Sequence, residues 1–131
     1  MILLDTHIWI WWIDKHPQLT SADTRIITQH QQTDEIGVSI YSCWETAKLV
    51  ENNKLHFDMP VEDWLNAATK ANGIQMLALS TRIIVESTQL PGDFHKDPAD
   101  QIIVATSRVY DCPLMTYDDK ILKYPHVKLL P

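Results

Sequence analysis

The run Met1-Ile2-Leu3-Leu4-Asp5-Thr6-His7 carries the reading of the fold. Residues 1–4 are apolar without alternation, as in a strand buried on both faces. A carboxylate ends the run, and Thr6 can cap a helix over residues 6–13. Strand, acid and helix in direct succession are the opening of an α/β unit. In such folds, ligands gather outside the carboxyl ends of the strands.

The remainder repeats the alternation. Strands are expected at 35–39, 74–79, 114–116 and 127–130. Helices are expected at 20–32, 42–51, 60–71, 80–87, 98–110 and 118–122. Ser21 or Asp23 lies near the start of the second helix, Ser42 caps the third and Pro98 occupies the first position of the sixth. Gly37, Gly73 and Gly92 read as punctuation between these segments. The class is α/β: a three-layer sandwich with a parallel sheet of about five strands, in one domain spanning residues 1–131.

Composition sets limits. Of 131 residues, 45% are hydrophobic and 21% charged, ordinary for a globular chain. No apolar stretch is long enough to span a membrane, and the N-terminus lacks a basic front and a small-residue cleavage site, so a cytoplasmic protein is expected. Cys43 and Cys112 form no CxxC or Cys/His pattern and read as small buried hydrophobes. Eleven Lys and Arg against 17 Asp and Glu leave a net charge of −6. That disfavours a protein coating nucleic acid through bulk positive charge, but not an enzyme that cuts it.

The acids decide the chemistry. Asp5 ends the first strand and Glu45 falls in the expected first turn after the second. Asp100 opens the helix near Pro98, and Asp118 follows the 114–116 strand. All four land on one sheet edge, with Asp97 and Asp119 nearby. Singly, each has a structural explanation as a cap or dipole partner; Asp97 is a plain N-cap and Asp118 can cap the last short helix. Together they repel one another, and a hard cation relieves the repulsion. Mg²⁺ or Mn²⁺ fits an all-carboxylate set, and the reaction class is metal-assisted phosphodiester hydrolysis.

Other residues border this edge. Lys48 lies one turn beyond Glu45, able to touch a phosphate or to remain a solvated lysine. His95 and Lys96 occupy the loop before Asp97, along a path open to RNA. Thr116 can orient Asp118 or a water. His7 adjoins the first acid and packs locally. Trp9, Trp11 and Trp12 cannot all share one helix face, so at least one should line an apolar groove beside the first helix.

These residues also carry a family likeness. Leu4-Asp5-Thr6-His7, Ser42-Cys43-Trp44-Glu45 with Lys48, Leu90-Pro91, His95-Lys96-Asp97-Pro98-Ala99-Asp100 and Met115-Thr116-Tyr117-Asp118 occur in order. In this the chain resembles PIN-domain nucleases of the VapC toxin type. The resemblance implies Mg²⁺-dependent endoribonuclease activity with Asp5, Glu45, Asp100 and Asp118 as catalytic metal ligands. It also implies an RNA substrate, a small antitoxin partner and a homodimer. Gln101 stands where many relatives carry Arg, and Asn52-Asn53 stand where many carry Gly. Two rival readings are a non-catalytic binding module that keeps the acidic pocket and a receiver-like phosphorylation domain. The second fits poorly, because Asp5 has no acidic neighbour.

Overall fold

The computed structural model describes residues 1–130. Its elements in chain order are β1 (Ile2–Leu4), α1 (Thr6–Ile13), α2 (Ser21–Gln31), β2 (Ile36–Ser39), α3 (Ile40–Glu51) and α4 (Val61–Ala68). They continue with β3 (Ile74–Leu77), α5 (Thr81–Ser87), α6 (Pro98–Tyr110), β4 (Leu114–Met115) and α7 (Asp119–Leu122). The sheet order is β3-β2-β1-β4 and every pairing is parallel. Ile2 lies opposite Ile36, and Leu3 lies opposite Gly37 on one side and Leu114 on the other.

Side chains on a strand alternate faces, and β1 shows the result directly. Ile2 and Leu4 enter one core with Ile8 and Trp9 of α1, Ile27 of α2, and Trp64 of α4. Leu3 enters a second core with Ile103 and Val104 of α6, Leu114 of β4, and Ile121 of α7. Helices thus cover both faces, which explains why β1 has no polar positions. Each fully buried Leu or Ile here contributes about 2 kcal/mol. Trp9 is the largest fully buried side chain and meets Trp64 edge-on at 5.3 Å.

The sheet has four strands where about five were expected. Residues 127–130 make a single parallel bridge, Leu114 to Leu129. Leu114 N–H donates to the Lys128 carbonyl (2.9 Å), and Leu130 N–H donates to the Leu114 carbonyl (3.1 Å). β4 is only two residues long, so it offers an edge partner room for one rung of the ladder.

Three helix starts differ from expectation. Asp5, not Thr6, is the N-cap of α1. Thr20 caps α2, accepting from Asp23 N–H. Ser39 caps α3 by accepting from Tyr41 N–H, three residues before the expected Ser42. Gly37 lies inside β2, where an added Cβ would sit 3.1 Å from Leu77 Cδ1 and Met1 Sδ, so it is a close-packing position and not a break. Gly73 does punctuate: its φ is +84°, and a Cβ there would meet the Gln31 backbone at 2.7 Å.

Candidate active site

In a parallel sheet with returning helices, strand C-termini and helix N-termini share one edge. The acids follow this rule. Asp5 leaves β1 and caps α1, and Asp97 and Asp118 cap α6 and α7. Asp100 occupies the first turn of α6. Glu45 is an exception to the expected placement: α3 begins at Ile40, so Glu45 stands in its second turn. Asp5, Glu45, Asp97, Asp100 and Asp118 nevertheless line one cleft of about 430 Å³, with His7, Ile8, Trp11 and Tyr117.

Neighbouring hydroxyls hold two of these acids. Asp5 Oδ1 accepts from Thr6 N–H (2.8 Å) and Asp5 Oδ2 accepts from the Thr116 hydroxyl (2.6 Å). Thr116 Oγ1 in turn accepts from Asp118 N–H (3.1 Å), so Thr116 joins the first and last acids of the set. Thr6 Oγ1 lies 2.5 Å from Glu45 Oε1 and 2.8 Å from Ser42 Oγ. A threonine has one hydroxyl proton. It goes to the carboxylate, which leaves Ser42 as donor to Thr6. Thr6 and Ser42, read from the sequence as helix caps, are therefore supports of the site. Only their pattern as buried hydroxyls flanking Asp5 and Glu45 could have signalled this.

Burial and mutual repulsion raise these carboxyls. Burial pushes Asp5 up, against the pull of its hydrogen bonds from Thr116 and Thr6. Burial likewise raises Glu45, with the Thr6 hydroxyl opposing it and Asp5 adding to it. Asp100 is raised to about 7: burial acts first, followed by Asp118, Asp97, Asp5 and Glu45. Near neutral pH the set thus holds more protons than free carboxylates would, a state that a nearby cation would reverse.

The loop before α6 brings an imidazole to the acids. His95 Nε2 lies 3.0 Å from Asp100 Oδ2, yet it is buried and makes no hydrogen bond. The contact is close in distance but out of line for the ring N–H. His95 Nδ1 accepts from Asp97 N–H (3.3 Å), which leaves the ring proton on Nε2 in the neutral tautomer. One ligand atom each from His95, Asp100 and Asp118 lies within 4.8 Å of the others. Asp5, hydrogen-bonded by Thr116, and Glu45, hydrogen-bonded by Thr6, line the same cleft outside this tight cluster. The donor set is hard carboxylate oxygen, gathered at a carboxyl held near pH 7, with the unsatisfied His95 Nε2–H beside it as a hydrogen-bond donor. It suits a divalent cation of the Mg²⁺ or Mn²⁺ type.

The remaining candidates divide. Thr116 is buried in the site, but it holds Asp5 instead of leaving its hydroxyl for a water. His7 is exposed at the cleft and draws Asp5 and Glu45 downward in pKa. Lys96 is exposed and absent from the cleft lining. Lys48 is not brought to the acids: its Nζ pairs with Glu51 (2.7 Å) and lies over Trp44, 5.5 Å from the ring centroid. Gln101 Nε2 donates to the His95 carbonyl (3.1 Å) and so fixes the loop that carries the imidazole.

A parallel sheet with strand-end carboxylates converging on a cleft defines a class of acidic-site α/β domain, and the PIN domain family model matches residues 2–127. The chain belongs to the PIN domain family. Among characterised relatives it is similar to Ribonuclease VapC22 of Mycobacterium tuberculosis (strain ATCC 25618 / H37Rv). The two are 29% identical over 125 residues, covering 95% of this chain and 92% of that protein. Two solved structures share the fold. VapBC2 from Rickettsia felis, bound to a DNA fragment from its promoter, gives a TM-score of 0.71 at 18% identity, covering 99% of this chain and 98% of that one. A toxin–antitoxin complex from Klebsiella pneumoniae gives 0.63 at 17%, covering 97% and 95%.

Proposed function

We propose that this chain is a divalent-metal-dependent endoribonuclease, the toxin of a type II toxin–antitoxin pair, acting in the cytoplasm as a single domain over residues 1–131 and as a homodimer. The observation that carries the reading is the convergence of Asp5, Glu45, Asp100 and Asp118 on one cleft. Membership of the PIN family and the likeness to a VapC ribonuclease support it. In this reading the four carboxylates hold Mg²⁺ or Mn²⁺, with His95 beside them. Such a cation, when bound, activates water and stabilises the leaving oxygen. Thr116 and Thr6 keep Asp5 and Glu45 in place, and each hydroxyl stabilises its acceptor in the ionised form that a cation needs. The product is RNA with phosphate-bearing ends.

Labelled RNA incubated with Mg²⁺ or Mn²⁺ should be cut internally, and EDTA should abolish the cutting. RNA that stays intact at saturating metal, while the protein still binds the cation, would favour the rival reading of a non-catalytic acidic module.

A toxic nuclease must be restrained, and the expected groove beside α1 is present. It measures about 770 Å³; Trp11, Trp12, Pro17 and Leu19 supply apolar surface, and Lys15 and Arg25 supply charge. Trp11 also lines the carboxylate cleft, so the two adjoin. This surface suits an amphipathic antitoxin segment with acidic side chains toward Lys15 and Arg25. A basic side chain of that segment would reach the acids past Trp11. Trp9 and Trp64 are buried and Trp44 is exposed on α3, so a Trp44→Phe background isolates Trp11 and Trp12. Acrylamide should quench their fluorescence in the free protein, and the cognate antitoxin should protect them. Quenching that is unchanged on complex formation would remove the groove from the interface.

A further inference from the structure

Beyond His95, the carboxylate cleft is followed by a second groove of about 360 Å³. Phe94, His95 and Tyr124 form its walls, and Lys120, Lys123 and Asp93 line it as well. We propose that this groove seats the backbone of single-stranded RNA on one side of the scissile bond, with Lys120 and Lys123 on the adjoining phosphates. The proposal rests on the ribonuclease reading above and adds a substrate path to it.

Contiguity is the first argument. Lys120 is two residues beyond Asp118, and its N–H donates to Asp118 Oδ1 at 2.9 Å. His95 belongs to the groove wall while its Nε2 lies 3.0 Å from Asp100 Oδ2. A strand positioned at the acids therefore has this groove as its neighbour.

Charge is the second. The chain carries −6 overall, and a carboxylate cleft repels a polyanion. Three other cations are paired at close range, Lys48 with Glu51, Arg108 with Glu86 and Lys128 with Asp111, while Lys15 and Arg25 lie in the groove beside α1. Among the described residues, neither Lys120 nor Lys123 forms an ion pair, although Asp93 lines the same groove. Phosphate contacts supply most sequence-independent affinity for nucleic acid, and unpaired ammonium groups beside the acids are where they are needed.

Local structure is the third. Lys120 and Lys123 are spaced i, i+3 across α7, so they project from neighbouring positions, while Ile121 between them is buried. The walls are already set. Tyr124 Oη donates to the Pro91 carbonyl (2.5 Å), and Phe94 packs on Tyr124 at 4.7 Å. Tyr124 is buried and backs the half-buried Phe94, whose ring, with cations at the rim, suits a single strand with bases free to stack. The groove beside α1 differs, since its cations flank the broader apolar surface of Trp11 and Trp12.

The test compares wild type with Lys120→Gln/Lys123→Gln, and with Lys54→Gln/Lys70→Gln as a control of equal charge change at exposed sites. Single-stranded RNA and bis(p-nitrophenyl) phosphate, too small to reach the groove, are the substrates, both in Mn²⁺. For the Lys120/Lys123 pair, KM for RNA should rise about tenfold with kcat within twofold, and small-ester hydrolysis should be unchanged. The salt slope of log(kcat/KM) should flatten by about 1.4, from two lost phosphate contacts. An unchanged RNA KM in an enzyme that still cuts RNA overturns the groove and leaves the nuclease reading intact. Equal losses in the control pair reduce the effect to bulk charge and also overturn it. Weakened antitoxin binding with unchanged RNA KM assigns the groove to the antitoxin instead. A wild type that neither cleaves either substrate nor binds RNA by fluorescence anisotropy overturns both readings together.

Discussion

Asp5→Asn is expected to cut RNA cleavage by about 10³-fold or more while the protein stays folded. Loss of a ligand charge at such a centre removes about 4 kcal/mol of transition-state stabilisation. The fold tolerates the change for local reasons. Asn caps helices as well as Asp, so its side-chain oxygen can still accept from Thr6 N–H. The new amide can donate to Thr116 Oγ1, in place of the hydroxyl donation seen now. Burial already disfavours the ionised carboxyl at this position, so a neutral side chain costs nothing electrostatically in the metal-free protein. The mutant should therefore melt at or slightly above the wild-type temperature without metal, and any growth inhibition in cells should vanish. Wild-type cleavage rates from a pure, folded Asp5→Asn protein would remove Asp5 from the site.

The residues that were legible in the sequence are those governed by local rules. β1 and its succession into α1 could be read because a strand buried on both faces leaves no polar position, and Ile2, Leu3 and Leu4 are indeed enclosed. Asp5, Asp100 and Asp118 could be placed because strand ends and helix starts share an edge. Glu45 was assigned the correct edge for an inexact reason. Ser39 and Ser42 offer the same capping chemistry, and only the end of β2 selects Ser39. Long-range contacts left no signal. The hydroxyl links from Thr6 to Glu45 and from Thr116 to Asp5 join residues 39 and 111 positions apart, and no periodicity records them. Lys48 sits at the helical spacing that should bring it beside Glu45. Its flexible stem turns to Glu51 and Trp44 instead, a rotamer choice that spacing does not encode. The last strand failed on length, because β4 provides one rung where an apolar run suggested several.

Without metal, stability should fall as pH rises from 4 to 7, and Asp100 is one cause, beside Asp5 and Glu45. Its carboxyl is held at about 7, above the unfolded value near 3.8. For a group raised in this way, the folded state binds the proton more tightly. Its contribution is complete below the unfolded pKa and is lost as pH climbs through the folded one. Burial leads this shift, and the charges of Asp118, Asp97, Asp5 and Glu45 add to it. A divalent cation reverses the preference, because it binds the ionised form and must displace the proton. Metal should therefore stabilise weakly at pH 5 and strongly at pH 7.5. At a hundred times its Kd it contributes about 2.7 kcal/mol, a rise of about 10 °C in Tm for a chain of this size. Asp100→Asn separates this carboxyl from every other titrating group. In EDTA at pH 7.5 the variant should melt above wild type, with the gap closing at pH 5. In saturating Mn²⁺ the order should reverse if the proposed function holds, because the variant then lacks a ligand. Calorimetric titration near pH 7 in buffers of different ionisation enthalpy should register proton release from wild type and less from the variant. A Tm gap that is the same at pH 5 and 7.5, with or without Mn²⁺, would mean that Asp100 neither carries the raised pKa nor meets the cation.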